Sequence, residues 1–291
     1  MIPAAFKYAS ATTVQEAIDL LREPDAKVLA GGHSLLPLMK LRLANPPLLV
    51  DINRIAGLDY IREDPQLQRL QVGALVRHVD MERSLLIQSS YPLLHDAAQG
   101  IGDPQVRNRG TLAGSIAHAD PASDWPAALL AYDGEVVATG PHGERVIPAR
   151  QLYVGILTTS LQPDELVTEV RFPMQPPSSG GAYVKLERKV GDYAVIGVAA
   201  LLTLDGDTIT SAGLGLCNAG SISIKATAAE AFLLGKSAAP DTIDEAARLA
   251  MEASDPVEDD RGPVDYKRAM VRELTRRALR HAFERAQGGT A

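Results

Sequence analysis

Two short glycine-bearing segments constrain this chain more than anything else in it: Ala30-Gly31-Gly32-His33-Ser34 and Thr111-Leu112-Ala113-Gly114-Ser115. Each is built of small residues that let the backbone come close to a ligand, and each ends in a hydroxyl. Each reads as the passage from an apolar, strand-like stretch to a helix-like one. Turns of this kind present several backbone N–H groups at once, which suits a phosphate. Two of them fit a pyrophosphate gripped from both sides, as in a dinucleotide. Either segment alone reads first as ordinary punctuation between a strand and a helix. The pair points to a ligand.

The rest of the composition narrows the field. A chain of 291 residues can hold two or three compact units with cores of their own. Its net charge of −7 argues against a nucleic-acid partner, which would call for a basic excess. No apolar run reaches the roughly 18–20 residues of a membrane span, and the start, Met1-Ile2-Pro3-Ala4-Ala5-Phe6-Lys7-Tyr8, lacks the pattern of a secretory signal. A cytoplasmic location is expected, with peripheral attachment at the inner face of a membrane still compatible. Cys217 is the single cysteine, so this chain alone can hold no internal disulfide, cysteine-based zinc site or iron–sulfur cluster. Its apolar, alternating surroundings predict a buried small hydrophobe. The six histidines are scattered with no His-x-x-x-His pair, and no metal site is expected.

Along the chain, Thr13-Val14-Gln15-Glu16 reads as a capping box opening a helix over 13–22. A strand at 26–30, the first glycine turn, a helix at 35–43 and a strand at 48–52 make a βαβ-like unit over 1–55. A second unit, 56–175, mixes strands (70–74, 135–139, 166–172) with helices at 78–86 and 92–98. Residues 173–181 are crowded with Pro, Ser and Gly and predict a linker. The third unit, 176–291, is expected to hold a three-stranded antiparallel sheet (182–186, 195–204, 209–217). Helices follow, one opened by a capping box at Thr242-Ile243-Asp244-Glu245 and a last one over 264–285. That last helix carries seven basic residues against two acidic ones between Tyr266 and Ala286. They form either a solvated face opposite Tyr266, Met270, Leu274 and Ala278, or a docking surface.

Four blocks in order extend the two segments: 30–37, Asp103-Pro104-Gln105-Val106-Arg107-Asn108-Arg109-Gly110 running into 111–115, Asp120-Pro121-Ala122-Ser123-Asp124, and Lys185-Leu186-Glu187-Arg188-Lys189-Val190-Gly191-Asp192-Tyr193-Ala194. Over nearly its whole length the chain resembles the medium, FAD-binding subunit of molybdenum hydroxylases, of the aerobic carbon monoxide dehydrogenase type. The resemblance implies an α+β fold of the vanillyl-alcohol-oxidase (PCMH) type rather than a Rossmann fold. It comprises two α/β FAD-binding subdomains and a C-terminal domain of antiparallel sheet and helices. It also implies a heterohexamer built from two copies each of three subunits: a small one with [2Fe–2S] clusters, this FAD-bearing one, and a large one with the molybdenum cofactor.

By the same resemblance, Ala30, Gly31, Gly32, His33, Ser34 and Leu35 lie on the FAD pyrophosphate. Thr111, Leu112, Gly114 and Ser115 form the opposite wall. Ala113 departs from the family, many members of which carry glycine there. Asp124 is either an N-cap for the helix-like run to Ala131 or a partner for a hydroxyl of the adenosine half. Ile101 packs on the adenine or is an ordinary core residue. Val167 lines the cofactor by its backbone, and Lys185 and Tyr193 close the cleft from the third unit beside the flavin ring unless they are packing residues. A lysine there would favour negative charge on a reduced flavin. No catalytic residue is expected, because the cofactor supplies the chemistry. With no cysteine in either glycine segment, the FAD is expected to be noncovalent. The reading is an electron-transfer subunit that takes electrons from the small subunit and passes them to an external acceptor. A self-sufficient FAD oxidase and an interaction subunit without FAD are its rivals.

Overall fold

In the computed structural model, residues 2–288 are described. The N-terminal part is a three-stranded parallel sheet of β1 (Lys7–Ser10), β2 (Lys27–Leu29) and β3 (Leu48–Asp51), in the order β1-β3-β2. Helix α1 (Val14–Leu21) joins the first two strands, and the Thr13 side chain caps it by accepting from the Glu16 amide at 3.1 Å. The Glu16 carboxylate reaches back to the Thr12 amide at 2.7 Å, one residue earlier than in the usual box. Helix α2 (Leu35–Lys40) makes the crossover from β2 to β3. It stops three residues short of the expected Leu43. Arg42 takes a left-handed conformation, φ +60°, and the Leu43 amide folds back onto the Leu38 carbonyl at 2.9 Å.

The second sheet is antiparallel, ordered β4-β5-β10-β6-β7. Its strands are β4 (Ile61–Asp64), β5 (Arg69–Gly73), β6 (Glu135–Gly140), β7 (Gly143–Pro148) and β10 (Leu166–Pro173). A two-stranded ribbon of β8 (Tyr153–Gly155) and β9 (Thr158–Thr159) stands beside it. Between the strands come α3 (His78–Arg83), α4 (Leu85–Ser90), α5 (Pro92–Gln99), α6 (Pro104–Arg107), α7 (Leu112–His118), α8 (Asp124–Ala131) and α9 (Ala149–Leu152). The single helix expected over 78–86 is therefore two. Ser84 leaves the helical conformation at ψ 119° and its hydroxyl accepts from the Ile87 amide, so it ends α3 and caps α4.

The C-terminal sheet is antiparallel with four strands rather than three: β11 (Ser179–Leu186), β12 (Ile196–Asp205), β13 (Thr208–Cys217) and the short β14 (Ile224–Lys225). The linker is also shorter than its composition predicts, because Ser179, Gly180 and Gly181 already belong to β11. Gly180 is needed there, since a Cβ would stand 2.2 Å from the Ala282 carbonyl oxygen. That oxygen belongs to α12 (Val264–Ala286), which lies on the sheet after α10 (Thr227–Leu233) and α11 (Pro240–Glu252). Helix α11 starts at Pro240 with Ala239 at the N-cap, so the expected box at Thr242 lies inside it. The proline supplies a preset φ at the first helical position.

The buried stripe of α12 is Val271, Leu274, Ala278, Leu279 and Ala282, joined by Lys267. Of the expected stripe, Leu274 and Ala278 are buried and Met270 partly so, but Tyr266 is 42% exposed and Lys267 takes the buried place at that end. The Lys267 ammonium is kept satisfied by the Val257 carbonyl and Asp259, both at 2.8 Å. On its other face the sheet rests on α8. Cβ atoms at Gly213 or Gly215 would lie 1.9 Å from the carbonyls of Ala131 and Ala127, so glycine permits direct contact of backbones. Cys217 is fully buried, as its surroundings predict.

Candidate functional site

A cleft of about 1020 Å³ is lined by residues drawn from all three sheets' neighbourhoods. The first glycine segment forms one wall, between the end of β2 and the start of α2. Gly32 has φ +76°, a conformation that side chains with a Cβ rarely take. Among the described residues, no acceptor meets the backbone N–H groups from Ala30 to Leu35. The Ser34 and Leu35 amides are free as at any helix start, and with the small residues before them they leave a run of donors along the cleft that suits an acceptor-rich ligand.

The second segment is built differently from the expectation. It is entered from the short helix α6, not from a strand, and Thr111 is the N-cap of α7. The Thr111 hydroxyl accepts from the Gly114 amide at 3.0 Å, the Ser115 amide returns to the Thr111 carbonyl at 3.0 Å, and the Leu112 amide goes to Val76 at 3.1 Å. Most of its donors are thus spent on the helix start, and the free run lies in the first segment. The segments nonetheless meet: a Cβ on Gly31 would lie 2.4 Å from the Arg109 carbonyl oxygen and 2.7 Å from the Gly110 Cα. His33 reaches across as well, its Nε2 standing 3.2 Å from the Gln105 carbonyl.

Ala30, Gly31, Gly32, His33, Ser34, Leu35, Ile101, Thr111, Gly114, Ser115, Asp124, Lys185 and Tyr193 all line the cleft. Leu112 does not. Its side chain is wholly buried in the core, where an apolar residue at the first position of α7 belongs. Val167 lines a smaller pocket of about 80 Å³ that shares Ala30 and Gly114 with the cleft and includes Ala113.

Asp124 is not an N-cap, because Ser123 holds that position. The Asp124 carboxylate is buried and accepts from the Tyr183 hydroxyl at 2.6 Å and the Lys185 ammonium at 3.2 Å. Tyr183 and Lys185 are two apart on β11 and so point to the same face. Lys185 also donates to the Gly100 carbonyl at 2.9 Å and lies 3.5 Å from Glu187. Burial pushes the Asp124 carboxyl up, with Lys185 and Tyr183 pulling the other way. Burial likewise pushes the Tyr183 hydroxyl up, with Asp124 adding to it. Lys185 therefore stands in the cleft wall as half of a buried ion pair, not as a free cation.

Tyr193 comes from the loop after β11 and is 41% exposed. Burial and the nearby Asp120 raise its hydroxyl, and the Ser34 hydroxyl beside it opposes them. The third unit thus reaches the first glycine segment across the cleft. The loop is held by the Asp192 carboxylate, which accepts from the Tyr193 amide at 2.8 Å and from Arg261 at 3.2 Å.

Three residues at the site carry no signal in the sequence. His78 lines the cleft yet is buried, and its Nδ1 accepts from the Trp125 indole at 3.0 Å. Burial lowers it to about 3, so it is a neutral ring. Asn53 hydrogen-bonds to the Ala30 carbonyl of the first glycine segment, and Arg77 to the Arg109 carbonyl just ahead of the second. A side chain that acts through backbone carbonyls has no spacing rule by which to find it.

A glycine-cradled cleft between a parallel βαβ unit and two antiparallel sheets defines a nucleotide-cofactor-binding protein of α+β class. Comparison with known proteins sharpens this. The family described as FAD binding domain in molybdopterin dehydrogenase matches residues 4–175. The one described as CO dehydrogenase flavoprotein C-terminal domain matches residues 181–282. The carbon monoxide dehydrogenase medium chain of Hydrogenophaga pseudoflava is 42% identical, over 98% of this chain and 99% of that one. The 6-hydroxypseudooxynicotine dehydrogenase complex subunit alpha of Paenarthrobacter nicotinovorans is 40% identical, over 99% and 97%. A solved structure of the Hydrogenophaga pseudoflava carbon monoxide dehydrogenase superposes with a TM-score of 0.95 over 98% of this chain and 99% of its own, at 44% identity. The chain belongs to the FAD-binding flavoprotein family of the molybdopterin dehydrogenases, of the carbon monoxide dehydrogenase medium-chain type.

Proposed function

We propose that this chain is the FAD-carrying electron-transfer subunit of a molybdenum hydroxylase complex. The observation that carries the reading is the run of unpaired backbone donors from Ala30 to Leu35, set on a cleft of about 1020 Å³. A pyrophosphate offers the acceptors such a run lacks. Gly31, Gly32, His33 and Ser34 would hold it, with Thr111, Gly114 and Ser115 forming the opposite wall. Ile101 would pack on the adenine, Asp124 would take a hydroxyl of the adenosine half with its ion-pair partner Lys185 beside it rather than at the ring, and Val167 and Tyr193 would border the ring. When bound, FAD supplies the capacity to take up and release electrons. The residues of this chain bind it, orient it and restrict access to it.

Three units, 1–55, 56–175 and 176–291, would share the cofactor between them. The complex would also contain a small subunit with [2Fe–2S] clusters, which delivers the electrons, and a large one with the molybdenum cofactor, which oxidises the substrate. An external acceptor would take the electrons from this chain in the cytoplasm. No helix among the described residues is long and apolar enough to cross a membrane. The substrate is set elsewhere: relatives of near-equal identity are named for carbon monoxide and for 6-hydroxypseudooxynicotine.

The test is the visible spectrum and flavin content of the purified chain. About one FAD per chain, reduced when substrate is added to the assembled complex, is expected. A colourless chain that takes up no FAD would refute the proposal. Turnover of small alcohols by the chain alone would favour a self-sufficient oxidase.

A further inference from the structure

We infer that Arg77 and Asn53 are positioning residues that aim the first glycine segment at its ligand. The inference rests on the FAD reading above. The Asn53 amide group lies behind the segment. Its Nδ2 donates to the Ala30 carbonyl at 2.9 Å and to the Asp51 carboxylate at 2.6 Å. Its Oδ1 accepts from one Arg77 nitrogen, while another Arg77 nitrogen donates to the Arg109 carbonyl. A guanidinium only donates, and a carbonyl or carboxylate only accepts, so the orientation of the Asn53 amide is fixed by its neighbours.

The consequence follows from the peptide bond. In a trans peptide the C=O of one residue and the N–H of the next point in opposite directions. Holding the Ala30 oxygen at the rear turns the Gly31 N–H away from Asn53, toward the cleft that Gly31 lines, where it has no acceptor among the described residues. Arg77 adds a second constraint. By gripping the Arg109 carbonyl, against which Gly31 packs, it holds the approach to the second glycine segment against the first. Neither Arg77 nor Asn53 borders the cleft, so each acts through backbone groups alone.

Two variants of the full chain test this. Asn53→Asp keeps the size and the Arg77 contact but sets an oxygen against the Ala30 oxygen, which turns that peptide. Arg77→Lys keeps the charge but offers a single prong where a fork is required. Each is expected to weaken FAD binding roughly tenfold or more, the scale of one lost hydrogen bond to a charged partner. At saturating FAD, the phosphorus NMR resonances of the bound pyrophosphate should move while the visible spectrum of the ring stays the same.

A role in stability alone would lower the melting temperature without moving affinity or phosphorus resonances, and that result overturns the inference. Failure of both variants to fold would do the same. A wild-type chain that takes up no FAD would sink the underlying reading, whereas FAD held normally by both variants would sink only this relay.

Discussion

At the scale of single residues, four positions carry measurable consequences. Gly32→Val should abolish FAD uptake, since its φ is left-handed and its Cβ would press on Leu36 at 2.9 Å. Gly114→Val should do so for another reason, because its Cβ would stand 2.5 Å from the Thr111 hydroxyl and break the cap. Flavin content near one per chain in either variant would contradict this. Lys185→Met would leave the buried Asp124 carboxylate with Tyr183 alone, and should destabilise the chain by about 3 kcal/mol. Removing the carboxylate too, as Asp124→Leu, should restore much of that, which denaturant midpoints of the single and double variants would show. His78 brings a pH dependence with a definite sign. The unfolded imidazole takes up a proton as pH falls through about 6.5, while the folded ring resists until about 3. Its contribution is complete above the unfolded value and drains away between the two, at up to about 1.4 kcal/mol per pH unit. His78→Gln should flatten the fall in stability between pH 6.5 and 4.5, read from denaturation at several pH values; an unaltered slope would exclude His78 as its source.

At the scale of elements, the sequence was legible where a local pattern decides the outcome. Helix α1, the βαβ crossover around Gly31-Gly32 and the existence of strand β10 follow from caps, turns and periodicity, although β10 lies mid-sheet and is buried on both faces rather than alternately. It was less legible where packing decides. Gly180 and Gly181 look like a linker, yet the missing side chain of Gly180 is what lets α12 lie against β11, and that of Gly181 leaves room for Leu93 of α5. The buried stripe of α12 begins at Lys267 rather than at Tyr266, because the lysine finds its partners in a preceding loop. The site divides in the same way. Small residues at a turn announce a backbone ligand, but Asn53, Arg77 and His78 act through contacts made only once the chain has folded. The Tyr193 loop is a further case, because its anchor Arg261 lies far along the chain. Tyr193→Phe should leave FAD content unchanged and alter the rate of flavin reoxidation, since the hydroxyl meets the Ser34 side chain and not the free backbone amides. Loss of FAD from this variant, or reoxidation identical to wild type, would remove Tyr193 from the site.

At the scale of the whole molecule, the cleft lies across two hydrophobic cores. One gathers residues from the first two sheets and the helices between them, and the other joins the C-terminal sheet to α11 and α12. Protein contacts already cross the seam. Arg285, near the end of α12, donates to Asp96 of α5 at 2.6 Å and to the Gly181 carbonyl at 2.7 Å, and Asp96 accepts from the Tyr183 amide at 3.1 Å. A ligand that touches Gly32 on one side of the seam and Lys185 or Tyr193 on the other adds a further clamp. It binds only when both parts are folded and in place. Mass action then requires that FAD stabilise the chain, by about 2.7 kcal/mol at a concentration one hundred times its dissociation constant. Because neither glycine segment offers a cysteine for attachment, this stabilisation should be reversible. Acid precipitation should release all the yellow colour to the supernatant. The FAD-stripped chain should melt at a lower temperature, and its midpoint should climb steadily as FAD is returned. Colour retained in the pellet would reveal a covalent bond, and a midpoint indifferent to added FAD would mean that the cleft does not close on the cofactor from both sides.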